Sequence, residues 1–156
     1  MLATLLLLAA AAGADPLAEA RAGKIQCVNP NLETRSCVGM SRYSVRSDGS
    51  FDSVTSMLVE PSPLVIMEVR SSGKVEGDAV CTVVRRADYE RATMALEGGP
   101  VKAEVEQAIG SQISASISSM EGRNLCARDR PVGDAIVAEM TVDGGHGRSW
   151  TSVIYG

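Results

Sequence analysis

Cys27, Cys37, Cys81 and Cys126 are the residues whose type and number most constrain the chemistry of this chain. The even count reads as disulfides if the chain meets an oxidising compartment, and four cysteines allow three pairings. Local order favours Cys27–Cys37, which flank the turn-forming Asn29-Pro30-Asn31, and Cys81–Cys126, which would tie a strand to the segment after a long helix. The longer bridge is then expected to stabilise more, since it closes the larger loop. A zinc site is the rival use of these residues. Structural zinc wants cysteine pairs two to four residues apart, whereas Cys27 and Cys37 are separated by nine residues. The absence of any C-x-x-C argues against thiol–disulfide catalysis.

Other constellations reduce to simpler readings. Asp48-Gly49-Ser50-Phe51-Asp52 alternates oxygen side chains as a calcium loop begins. The glycine stands second rather than sixth, and the twelfth residue is Val59 rather than a carboxylate. Asp48-Gly49 is instead a favoured two-residue hairpin turn. Ser71-Ser72-Gly73-Lys74 matches S-x-x-K, but the companion S-D-N and K-T-G motifs are missing. His146 is the single histidine, set among Gly144, Gly145 and Gly147, and no G-x-S-x-G elbow supplies it with a nucleophile. Ser111, Ser114, Ser116, Ser118 and Ser119 read as a solvated helix face, and the dispersed methionines as core filling rather than a copper site. No catalytic, metal-ligating or cofactor-binding residue is assigned.

The elements that would carry these residues follow from apolar periodicity. Strands are expected at 24–28, 37–46, 50–60, 64–70 and 75–84, with a turn at 71–74 and a break at Gly77-Asp78. A short helix is expected over 87–95. Val101, Val105, Ile109, Ile113 and Ile117 recur every fourth residue, giving a long amphipathic helix closed by Gly122. In 134–143, Ile136, Ala138, Met140 and Val142 share a strand face, and 149–155 pairs back after a glycine turn. The resulting fold class is α+β: a mostly antiparallel, disulfide-stabilised sheet with the long helix packed on one face.

Bulk properties set the compartment and the partners. Residues 2–12 are apolar apart from Thr4, too short to span a bilayer, and end in Ala12-Gly13-Ala14. This is the pattern of a secretory signal cut near Ala14, although no Lys or Arg precedes the apolar run. The expected organisation is a signal peptide at 1–14, a flexible leader at 15–23 and one domain over 24–156. The location is then periplasmic or extracellular, with no membrane span after cleavage. The net charge of −4 and an aromatic content of 3% disfavour nucleic-acid binding, which needs cationic surface and stacking rings. A content of 45% hydrophobic residues supports a real core.

Several stretches taken together resemble a group of small exported four-cysteine proteins of Gram-negative bacteria. They are Ala22-Gly23-Lys24-Ile25-Gln26-Cys27 with Asn29-Pro30, Asp48-Gly49 followed by Phe51-Asp52, Pro61-Ser62-Pro63-Leu64-Val65-Ile66-Met67-Glu68, and Gly77-Asp78-Ala79-Val80-Cys81. The resemblance implies a periplasmic setting and carries over no functional residue. The leading expectation is a non-enzymatic binding module for a protein or small ligand. The alternative is a small hydrolase whose site assembles from distant residues, with His146 as a participant.

Overall fold

The computed structural model describes residues 14–97, 99–133 and 135–155, with backbone alone at His146 and over 148–155. The expected signal segment, save Ala14, lies outside the described residues. Among the described residues nine strands form in chain order: β1 (Ile25–Asn31), β2 (Ser36–Val45), β3 (Ser50–Pro61), β4 (Leu64–Glu76), β5 (Ala79–Val83), β6 (Thr93–Leu96), β7 (Asn124–Val132), β8 (Ala135–Val142) and β9 (Gly145–Tyr155). The helices are α1 (Ala18–Arg21), α2 (Arg86–Glu90) and α3 (Ala103–Ile117), the last followed by a single 3-10 turn.

Every strand pairing is antiparallel. The sheet order is β3-β2-β1-β9-β8-β7-β5-β4-β6, and β3 also pairs with β4. The sheet therefore curls into a barrel-like form. Eight strands follow one another in a hydrogen-bonded circuit, each beside its neighbour in sequence, with β1 and β9 completing it. Such a meander leaves few open edges, because each of those strands has a partner on both sides.

Period-two alternation explains why these segments curl around a shared interior. Along β3, Phe51 and Ser53 are buried while Asp52 is exposed; along β4, Val65, Met67 and Val69 are buried while Ile66 and Arg70 are exposed. Phe51 is 1% exposed and Met67 2%. The interior also holds hydroxyls, which satisfy one another across strands. Ser41 and Thr55 lie 2.9 Å apart, Ser53 and Ser71 2.8 Å. Pairing of this kind removes the penalty of burying a hydroxyl without a partner. Gly73 lies opposite Phe51 in the β3–β4 register. A Cβ there would sit 2.1 Å from the Cys81 carbonyl oxygen and 2.6 Å from the Phe51 ring, so only glycine fits.

The expected fold class is corrected on one point: the long helix is not packed on a face of the sheet. Helix α3 forms where its periodicity places it, but none of its residues is buried and Val105 remains 44% exposed. Among the described residues its main partner is α2. The physical reason is the closure of the sheet. A curled meander covers its apolar face with its own strands, so no helix is required to shield it.

Three local expectations also differ. Residues 71–74, expected as a turn, continue β4 to Glu76, and the turn falls at Gly77, whose φ is +64°. The helix expected over 87–95 ends at Glu90, and residues 93–96 instead form β6 against β4. Strand β7 has no counterpart among the expected elements. The segment 84–123, carrying α2, β6 and α3, is thus an insertion between two adjacent strands of the meander. Its neck is closed by the Val84 amide donating to the Arg123 carbonyl at 2.9 Å, and by the Gly122 amide donating to the Val84 carbonyl at 2.9 Å.

Two disulfides are present. Cys27 is bonded to Cys37 and Cys81 to Cys126. Cys81 and Cys126 stand directly opposite each other across β5 and β7, with Cα atoms 4.1 Å apart, just inside the neck of the insertion. No described helix is long and apolar enough to cross a membrane.

Candidate functional site

One end of the barrel is closed by α1. Residues 15–23, expected as a flexible leader, carry this helix and hold it by specific contacts. The Leu17 side chain is 4% exposed. The Asp15 carboxylate accepts from the Leu17 amide at 3.0 Å and from Arg21 Nε at 2.8 Å, while Arg21 Nη1 donates to the Arg46 carbonyl at 3.2 Å. Arg46 lies in the β2–β3 hairpin, so the helix is fastened across the barrel mouth. These bonds hold the Asp15 carboxyl below its ordinary value, Arg21 contributing most and the Leu17 amide next.

Beneath α1 lies a cavity of about 70 Å³. Pro16, Leu17 and Ala20 of the lid, with Val80 and Ala127 of the barrel, make its apolar lining; Glu19, Lys24, Gln26, Tyr43 and Asp129 are its polar members. Their convergence follows from register. Gln26 pairs with Ser41 in β1–β2, Val80 with Ala127 in β5–β7, and Asp129 with Ala138 in β7–β8. Each pair shares a face of the sheet, and Ala127 and Asp129, two residues apart on β7, share theirs.

The polar groups are arranged unevenly. The Tyr43 hydroxyl donates to Gln26 Oε1 at 3.0 Å, and its ring meets Phe51 edge-on with centroids 5.4 Å apart. Burial pushes the Tyr43 phenol up to about 12, and the negative charge of Asp129 adds to the shift, against a lowering hydrogen bond with Ser41. Burial likewise raises the Asp129 carboxyl. Lys24 and Glu19 pair with each other at the rim. Outside the cavity, the sheet carries charge: Arg42, Asp52, Arg70, Arg128 and Arg130 are exposed.

The residues singled out from sequence do not gather here. The turn at Asp48-Gly49 is a hairpin turn, with Gly49 at φ +84° and the Asp48 carboxylate accepting from the Ser50 amide at 2.9 Å and hydroxyl at 2.6 Å. Ser71 bonds Ser53 within the sheet, and Lys74 pairs with Glu76 at 3.2 Å. The His146 backbone lies on β9 opposite Thr141, and its side chain is outside the described ones. Glu76, Cys81 and Cys126 place potential metal-binding atoms within 4.8 Å of one another, but both sulfurs are committed to the disulfide.

Sequence reasoning passed over Tyr43, Gln26 and Asp129 as site residues. The signal for Asp129 was its position between Arg128 and Arg130: the alternation Leu125, Ala127, Asp129 against Arg128 and Arg130 marks a strand with a carboxylate on its inner face. Comparison with known protein families, curated proteins and solved structures finds no match to this chain.

Proposed function

We propose that this protein is an exported, non-enzymatic binding module that holds a small ligand in the cavity beneath α1. The observation that carries the reading is the cavity itself: a partly open, mainly apolar space at a barrel mouth with Gln26, Tyr43 and Asp129 converging on it. Small closed barrels either fill their interior with side chains or hold one small ligand, and binding sites pair an apolar lining with a few placed polar groups. The signal-like segment at 1–14 and the two disulfides support a periplasmic or extracellular setting.

Size restricts the ligand. By this measure about 10–15 Å³ holds one water, so the cavity takes a few waters or an organic molecule of a few heavy atoms. Titration of the exported protein with a library of such compounds, followed by amide NMR shifts, tests the reading. Shifts are expected at Gln26, Tyr43, Val80, Ala127 and Asp129, and are expected to vanish in Ala127→Leu, which fills the cavity. A library that leaves these amides unmoved, or shifts that persist in Ala127→Leu, would refute it.

A further inference from the structure

Asp129 and Tyr43 face the cavity with acceptors, beside the Gln26 amide, which carries both an acceptor and donors. The one proton of the Tyr43 hydroxyl is directed to Gln26 Oε1 and Ser41 engages the phenol oxygen as well, so toward a ligand that oxygen acts as an acceptor through its remaining lone pair. The Asp129 carboxylate is acceptor-only when ionised, and no described residue donates a hydrogen bond to it. The Lys24 ammonium is committed to Glu19 at the rim. Counting Glu19, Lys24 and Asp129, the formal charge of the lining is −1. Asp129 and the Tyr43 oxygen together are complementary to a group with several donors and positive charge.

We propose that the ligand is a small primary ammonium ion. Its N–H groups bond the Asp129 carboxylate and the Tyr43 oxygen, and its short carbon chain lies against Leu17, Val80 and Ala127. An ammonium head has three donors and no acceptor, and a chain of two or three carbons fits the volume. A hydroxyl offers only one donor, and a carboxylate would face Asp129 with like charge. Burial disfavours the bare Asp129 anion, and a cation beside it offsets that penalty. The proposal rests on the reading of the cavity as a ligand site and adds the chemical class of the ligand.

The test compares ethylammonium, ethanol and acetate, similar in size and different in charge, by amide NMR titration of the exported protein and of Asp129→Asn. Ethylammonium is expected to bind at least about tenfold more tightly than ethanol, with acetate unbound, since a hydrogen bond between charged partners is roughly twice as strong as one between neutral groups. Asp129→Asn keeps the shape of the side chain, and its spectrum reports folding directly. It should weaken ethylammonium by about tenfold or more and change ethanol by less than about twofold. Should ethanol or acetate match ethylammonium, or Asp129→Asn bind ethylammonium as the parent does, the ammonium assignment is wrong while the cavity remains a ligand site. Should none of the three move the cavity amides, the ammonium assignment fails; the wider library then decides whether the site binds anything.

Discussion

Replacing each disulfide separately with a pair of alanines gives a quantitative test of what the bridges do. The bonded cysteines are 10 residues apart in one case and 45 in the other. If the bridges act mainly by restricting the unfolded chain, these spans correspond to about 2.7 and about 4.0 kcal/mol at 25 °C. The packing losses are comparable, because Cys27 and Cys81 are 0% and 2% exposed and their partners are both half-buried. The difference of about 1.3 kcal/mol therefore reflects loop length, and in a domain of this size it separates the two unfolding midpoints by roughly 4–6 °C. Calorimetry on Cys27→Ala/Cys37→Ala and on Cys81→Ala/Cys126→Ala reads it directly, and urea titration checks that both variants still unfold in one transition. The Cys81/Cys126 variant should be the weaker. Equal loss, or a larger loss from the short bridge, would refute the chain-entropy argument.

Gly73→Ala should cost about 3 kcal/mol or more, because its Cβ collides with backbone at the Cys81 carbonyl; Gly110→Ala, in open space within α3, should stabilise by about 1 kcal/mol, and paired urea titrations measure both. Burial raises the Asp129 carboxyl, so the stability linked to its protonated form is complete below its unfolded value near 3.8 and is lost as pH rises through the folded value. Asp129→Asn should accordingly be more stable than the parent at pH 7 and show little difference below pH about 3.8, as thermal melts at both pH values would reveal. Asp15 has the opposite sign: its lowered value supports the fold above pH about 3.8, and that support fades as pH falls through the folded value. Asp15→Asn should speed hydrogen exchange at the Arg21 and Ala22 amides at neutral pH, while leaving the sheet amides unchanged. Amino-terminal sequencing of the exported protein should begin at Asp15; an intact Met1 would refute cleavage at Ala14.

Much of the sheet was legible because its strands obey a two-residue period between strong turns. Asp48-Gly49 fixed the β2–β3 hairpin, and Pro61-Ser62-Pro63 separated β3 from β4. The misread elements are those where local pattern and tertiary demand diverge. Ser71-Ser72-Gly73 looks like a turn by composition, yet in β4 the serine meets Ser53 and the glycine makes room for Phe51. Residues 93–96 lie in a stretch that reads as helix, yet they complete the free edge of β4. Strand β7 was hidden by its arginines, which face solvent, and with it went Asp129. The stripe on α3 correctly indicated a helix but not its neighbour. An amphipathic pattern records that a face is apolar, and the closure of the barrel, a long-range property, determined what that face could meet. The cavity was illegible for the same reason, since α1, β1, β2, β5 and β7 each contribute only one or two of its residues.

The pairing of β1 with β9 also has a kinetic consequence. Ile25 lies opposite Tyr155, so the circuit closes only when the last strand reaches the first. A chain emerging from its amino terminus can form the β1–β4 meander early, through local hairpins. The β1 edge nevertheless stays open until residues 145–155 arrive, and the long separation makes that closure entropically slow. During synthesis the protein is therefore held short of its native ring, in a form that exposes an edge to other chains. Commitment to the folded state waits for the arrival of β9.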